Sequence, residues 1–272
     1  MPMPLPYLPT LLPSLARLAR DAGAEVMAVY ATPFTVQGKA DASPVTLADQ
    51  QAEGVILAGL RRLTPGLAIV AEEDVAAGHG PELVADEPFW LVDPLDGTRE
   101  FVARNGEFTV NIALIHQGRP ALGVVLAPAV GGPGGTLYAG IAGQGAWVED
   151  AAGRRAIQCR ALPAEGLTVL ASRSHGDAAA QDAFVAGYLA RHMPGQRVAR
   201  TGTAGSSLKL CLIAAGQADM YPRLGRTMEW DIAAGHAVLA AAPGRVQRAD
   251  GTGPLVYGKP GFESPHFVAV GW

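Results

Sequence analysis

Trp90-Leu91-Val92-Asp93-Pro94-Leu95-Asp96-Gly97-Thr98 is the stretch on which the reading of this chain turns. Phe89 to Val92 form an apolar run of strand length, Pro94 forces a turn just after Asp93, and Gly97 lets the backbone come close to a ligand. Two carboxylates, a backbone carbonyl and a hydroxyl thereby reach one point at a strand end. Asp93 and Asp96, three residues apart across the turn, can face the same cation. Oxygen-only ligation suits Mg²⁺, Mn²⁺ or Ca²⁺ rather than zinc, which prefers His or Cys. Asp-Pro and Asp-Gly are also ordinary turn dipeptides, and an Asx turn capping the next helix would use them without any ion.

Outward from this stretch the elements are mixed in order. Leu8, Leu11, Leu12, Leu15 and Leu18 lie at helical spacing and predict an amphipathic first helix running toward Tyr30. A core-facing helix is favoured over one lying on a membrane surface. A polar stretch from Gln37 to Pro44 is followed by a helix from Thr46 to Leu63, closed by Thr64-Pro65-Gly66. Leu67 to Ala71 reads as a strand ending in Glu72-Glu73-Asp74, and Val75 to Glu87 as a surface loop. Phe108 to Ile115 alternates as a half-buried strand, with Ala121 to Ala127 as its antiparallel neighbour across Gly118-Arg119-Pro120. Val130 to Gly135 is a Gly/Pro loop without chemical groups.

A second lobe begins near residue 160, giving an α+β lobe over 1–160 and an α/β lobe over 161–272. In the latter, strands at Leu167 to Ala171 and Ala218 to Tyr221 alternate with helices at Asp182 to Arg191, Ser206 to Ala215 and Ile232 to Ala242. No internal repeat is visible.

At 272 residues and 49% hydrophobic the chain can bury a large core. A formal charge of −4 without a long basic run argues against a nucleic-acid duplex as partner. No stretch approaches the roughly 20 apolar residues of a membrane span. The prolines of Met1-Pro2-Met3-Pro4-Leu5-Pro6 interrupt any signal-peptide core. Cys159 and Cys211 would allow a disulfide, but a reduced cytoplasmic chain is the simpler reading. His79, His116, His192, His236 and His266 have no acid–base constellation near them in sequence and read as structural or solvated.

Further carboxylates stand at element ends. Glu72 follows a strand, Asp231 opens a helix and Asp49 sits in the first turn of another. Taken singly they fit a solvated loop acid, an N-cap and a residue complementing the helix dipole. Together with Pro44-Val45-Thr46-Leu47-Ala48-Asp49, Glu72-Glu73, Asp93-Pro94-Leu95-Asp96-Gly97-Thr98 and Trp230-Asp231-Ile232-Ala233-Ala234-Gly235, they form a pattern over nearly the whole chain. It resembles the lithium-sensitive, Mg²⁺-dependent phosphatase superfamily of inositol monophosphatases, fructose-1,6-bisphosphatases and 3′(2′),5′-bisphosphate nucleotidases. Arg99-Glu100-Phe101, the run from Asn105 to Ile115, Ser172-Arg173-Ser174-His175, Gly205-Ser206-Ser207-Leu208-Lys209 and Tyr221-Pro222-Arg223 are similar to the bacterial nucleotidase branch. The loop at Val130 to Gly135 is longer than that branch's usual one.

The resemblance implies a sugar-phosphatase fold, a layered α/β/α/β/α sandwich. It implies two or three Mg²⁺ ions, replaceable by Mn²⁺, held by Glu72, Asp93, the Leu95 carbonyl, Asp96 and Asp231, with Glu73 behind them. Asp49 and Thr98 would orient a water and take its proton. Backbone groups at Gly97 and Thr98 would hold the scissile phosphate. Ser174, His175, Ser206, Ser207, Lys209 and Arg223 would bind the rest of the substrate, although His175 fits a helix cap or a surface residue equally well. The implied reaction is hydrolysis of adenosine 3′,5′-bisphosphate to AMP and phosphate, with the sulfated relative PAPS giving APS as an extension, in sulfur metabolism. An inositol or sugar monophosphatase is the alternative, and a non-catalytic metal-binding regulator a remote one. A homodimer and a peripheral place at the inner membrane are compatible with the same reading.

Overall fold

The computed structural model describes residues 7–32, 36–38, 44–173 and 177–272. Helix α1 (Leu8–Tyr30) buries Leu8, Leu12, Leu15, Leu18, Ala22, Val26 and Val29 along one stripe, as its spacing predicts. Strands β1 (Val36–Gly38) and β2 (Pro44–Thr46) pair antiparallel and lead into α2 (Leu47–Leu63). Helix α2 lies so close on α1 that a Cβ on Gly59 would come within 2.4 Å of the Leu18 side chain.

A seven-stranded sheet comes next, in order β3 (Ala68–Ala71), β4 (Phe89–Asp96), β5 (Thr109–His116), β6 (Arg119–Ala127), β7 (Thr136–Ile141), β8 (Gly145–Asp150) and β9 (Gly153–Ile157). Only β3 and β4 run parallel; the remaining pairs form an antiparallel meander. The short helices α3 (Glu72–Ala76) and α4 (Thr98–Val102) cap the ends of β3 and β4. The strand at 109–116 is buried on both faces rather than half-buried. Val110, Ile112 and Leu114 join the cluster containing α1 and α2, while Ala113 and Ile115 join the opposite one. Pro94 makes no turn after Asp93. Strand β4 continues to Asp96, and its register against β5 jumps from Asp93–Asn111 to Asp96–Thr109. Three steps on one strand face two on the other, and the bulge spares Pro94 the ladder donor it lacks.

The second half supplies β10 (Leu167–Ser172), α5 (Ala178–His192), β11 (Val198–Ala204), α6 (Leu208–Ala214), β12 (Met220–Arg223), β13 (Thr227–Met228), α7 (Glu229–Ala241), β14 (Arg245–Arg248), β15 (Glu263–Ser264) and β16 (Phe267–Val270). Five of these strands form a sheet in order β11-β10-β12-β16-β14, with β10 parallel to both its neighbours. Helix α5 starts four residues before the predicted Asp182, because Asp177 caps it by accepting the amides of Ala179 and Ala180. Helices α6 and α7 lie between the sheets, α7 against β4 to β7 and α6 against α7 and β12. The layers run α1/α2, seven-stranded sheet, α6/α7, five-stranded sheet, α5, the α/β/α/β/α order expected. Glycines permit the central contact: a Cβ on Gly123 of β6 would sit 2.4 Å from the Ala234 carbonyl of α7. The N-terminus of α7 is thus fixed over the end of β4, where the acidic stretch emerges.

Candidate active site

A cleft of ≈ 310 Å³ opens where the two halves meet. Glu72, Asp93, Leu95, Asp96, Gly97 and Thr98 line it from the first half, and Ser206, Ser207, Lys209, Tyr221, Arg223, Arg226, Thr227 and Asp231 from the second. Residues more than a hundred positions apart in sequence are therefore neighbours.

Asp93 is 1% exposed and stands on β4 opposite Asn111 of β5. Its Oδ1 accepts the Leu95 amide at 3.0 Å. Burial raises its pKa well above the usual carboxylate range, and the charges of Glu72, Asp96, Asp231 and Asp49 push the same way. Burial also raises Asp96, to about 6; Lys209 and the Ser207 amide oppose it, while Glu100 and Glu72 add to it. Asp231 is raised well above its ordinary value by burial, then by Asp96 and Glu72. It is the third residue of α7 rather than its N-cap, and its Oδ2 accepts the Met228 amide at 2.9 Å. Carboxylates that raise one another inside a protein form a site of high negative potential, which is the chemistry a hard cation satisfies. The donors are all oxygen, so the set fits a hard cation such as Mg²⁺. Among the described residues no three His, Cys, Asp or Glu side chains close on a point by themselves. A full coordination shell would need the Leu95 carbonyl, water or substrate oxygens as well.

Asp49 lies on the buried face of α2, 1% exposed, where its charge bears on Asp93. Gly97 adopts φ 91°, a left-handed conformation that a side chain would strain, and opens α4 with Thr98 at its first position. First-turn amides of a helix have no acceptor within it and suit an anion.

On the second-half side, Lys209 is 3% exposed and its Nζ donates to the carbonyls of Ala204 (3.1 Å) and Ser206 (2.6 Å). Burial lowers its pKa to about 8 against the opposing pull of Asp96. Tyr221 lies beneath it, with Nζ 5.1 Å from the ring centroid. Ser207 lines the cleft, but its hydroxyl is engaged, donating to Asn111 Oδ1 at 2.7 Å and lying 3.1 Å from Thr109 Oγ1. Ser206 has φ 45°, and its Oγ, Arg223 Nε and Thr227 Oγ1 are buried without hydrogen-bond partners. Ser174 and His175 lie outside the described residues.

Sequence reasoning did not single out Glu53. Its Oε2 and Oε1 accept the amides of Glu73 and Asp74, both at 2.9 Å, and so cap the short helix that begins with Glu72. The signal was a second acid four residues after Asp49 on the face of α2 that buries Ala48, Ala52 and Ile56. Arg226 and Thr227 were missed for lack of any motif, and Tyr221, read within Tyr221-Pro222-Arg223, was given no role of its own.

Comparison with known proteins agrees with this geometry. The model of the inositol monophosphatase family matches residues 10–266. The chain belongs to the inositol monophosphatase family. Within it, the 3′(2′),5′-bisphosphate nucleotidase CysQ of Escherichia coli O157:H7 is 47% identical over 249 residues, 91% of this chain and 94% of that protein. The nucleotidase CysQ of Buchnera aphidicola is 38% identical, covering 87% of this chain and 84% of its own. Among solved structures, CysQ from Bacteroides thetaiotaomicron, a bacterial member of the family, superposes with a TM-score of 0.75 at 33% identity, covering 95% of this chain and 96% of that one. Enzymes of this family depend on a metal ion, typically Mg²⁺. No helix among the described residues is long and apolar enough to cross a membrane, and Cys159 and Cys211 are free thiols.

Proposed function

We propose that this protein is a Mg²⁺-dependent 3′(2′),5′-bisphosphate nucleotidase that releases the 3′-phosphate of adenosine 3′,5′-bisphosphate, giving AMP and phosphate. The observation that carries the reading is one cleft lined by both carboxylates and cations. Asp93, Asp96, Asp231 and Glu72 line it together with Lys209, Arg223 and Arg226. A monophosphate needs only the carboxylates and the metal they would hold. A second phosphate gives the cations a purpose, and donors without protein partners, such as Arg223 Nε and Ser206 Oγ, favour an acceptor-rich ligand. The 47% identity to a nucleotidase of that class supports the same assignment.

Glu72, Asp93, the Leu95 carbonyl, Asp96 and Asp231 would hold two or three Mg²⁺ ions, with Mn²⁺ as a substitute. Bound there, the metal acidifies water and neutralises charge on the phosphoryl group. Thr98 and Asp49 orient the attacking water, and Asp49 accepts its proton as its oxygen bonds to phosphorus; the bond to the 3′-oxygen breaks, and that oxygen takes a proton from a second water to leave as the 3′-hydroxyl of AMP. The amides at Gly97 and Thr98 keep the phosphoryl oxygens in line for displacement. Arg223, whose Nη2 donates to the Arg226 carbonyl at 3.0 Å, takes the non-scissile phosphate. Lys209 holds the turn beside it and contributes charge. The sulfated relative PAPS, which also carries a second anionic group, would use the same cations.

Arg223→Met tests the reading. KM for adenosine 3′,5′-bisphosphate should rise by about ten- to a hundredfold, while KM for adenosine 3′-phosphate changes little. Equal losses on both substrates would return the inositol or sugar monophosphatase reading to first place.

A further inference from the structure

Glu107 lies outside the cleft, on the segment entering β5, and its carboxylate is met from two strand ends of the other half. Arg173, just past β10, donates Nε to Oε2 at 2.6 Å and Nη2 to Oε1 at 2.8 Å. Gly205, just past β11, donates its amide to Oε2 at 2.8 Å. Arg173 is tied in turn to the carbonyl of Thr203 through Nη2 at 3.3 Å. The two-pronged fit of guanidinium to carboxylate fixes direction as well as distance.

The turn around Gly205 gives this junction its consequence. Residues 204–207 include Ser206 in a left-handed conformation, Ser207 bonded to Asn111, and the two carbonyls that hold Lys209. The same turn supplies the amide that Asp96 accepts. No slack exists at its start, because a Cβ on Gly205 would meet the Glu107 carbonyl at 2.4 Å and Glu100 Cγ at 2.7 Å.

We propose that Glu107 is a positioning residue for substrate binding: a clasp that seats the ends of β10 and β11, and with them the turn 204–207, against the first half. It is not among the residues that line the cleft. Without it the turn samples positions that the substrate must reorder on binding, so binding suffers before turnover does. The kinetic arm rests on the bisphosphate reading; the structural arm does not.

The experiment compares Glu107→Ala, Arg173→Met and the double variant with wild type. On adenosine 3′,5′-bisphosphate, Glu107→Ala should raise KM by about tenfold or more and leave kcat within about threefold. Arg173→Met should raise KM less, since Glu107 still holds Gly205, and the double variant should be no worse than Glu107→Ala alone. Hydrogen exchange at the Gly205 amide, read without substrate, should quicken by about tenfold or more in Glu107→Ala and remain near wild type in Arg173→Met. Unchanged exchange at Gly205 in Glu107→Ala, a fall in kcat at constant KM, or multiplicative effects in the double variant would each overturn the clasp. A wild-type protein inert toward the bisphosphate would sink the functional reading instead, and the exchange at Gly205 would still decide the clasp.

Discussion

Replacing Gly123 by Ala should damage both stability and activity, because this position sets how closely α7 approaches the sheet. The added Cβ would lie 2.4 Å from the Ala234 carbonyl and 2.7 Å from Ala237 Cβ. Ordinary contact requires a retreat of about 1 Å, and helix backbone cannot swing aside as a flexible side chain can. Overpacking of this kind costs about 1–3 kcal/mol, and the backbone obstacle places this case near the top of that range. For a chain of this size such a loss corresponds to a fall of roughly 4–10 °C in Tm. Asp231 lies three residues before Ala234 on the same helix, so the displacement carries to the cleft. A misplacement of about 1 Å can cost on the order of a hundredfold in rate. Gly54→Ala provides the contrast: that glycine is inside α2, and a Cβ added there would meet nothing within 4 Å. It should stabilise by about 0.5–1 kcal/mol through helix propensity alone. Thermal unfolding and Mg²⁺-dependent phosphate release, measured on both variants, check the pair. If Gly123→Ala melted with wild type and kept full activity, the tight seating of α7 would be wrong.

Two further substitutions probe the acidic residues in and behind the cleft. Burial raises Glu53 from its ordinary value near 4.5 to about 7, so between those values the folded chain holds a proton that the unfolded chain has lost, and stability falls as pH rises. The contribution is complete below about 4.5 and gone above about 7, with a span of roughly 3 kcal/mol; the stability difference between wild type and Glu53→Gln, followed by denaturant unfolding from pH 4.5 to 8, should drift by that order, and a constant difference would refute the assignment. Thr98→Ala should lower kcat by roughly 10²–10⁴ with a smaller effect on Mg²⁺ affinity; a collapse in Mg²⁺ affinity would mean that Thr98 ligates the ion.

The helices facing the core were legible because their signal is local. Leu8 to Leu18 and the face of α2 repeat at helical spacing, and burial follows that repeat. The acidic site was legible as a set of motifs, and the fold brings Glu72, Asp93, Asp96 and Asp231 into one cleft although no short-range rule links them. Strands β7 to β9 escaped notice for opposite reasons. Every residue of Thr136–Ile141 is buried, which erases alternation, whereas Gly153–Arg155 are all exposed and read as loop. Edge strand β11, with Val198 to Thr201 exposed or nearly so, hides in the same way. Glu107 could not have been found, because its partners Arg173 and Gly205 are 66 and 98 residues away. Ser207 was placed among substrate contacts on motif alone; only the fold shows its hydroxyl turned to Asn111.

If one cleft holds both carboxylates for phosphoryl transfer and cations for a second phosphate, the wild-type protein must prefer a substrate that engages both. Phosphate release in Mg²⁺, with adenosine 3′,5′-bisphosphate and inositol 1-phosphate assayed in parallel, measures that preference. Charge-assisted contacts from the cations of the cleft, at about 1.5–3 kcal/mol each, predict kcat/KM at least about tenfold to a hundredfold higher for the bisphosphate. Equal values, or a preference for inositol 1-phosphate, would contradict a cleft whose cations serve a second phosphate.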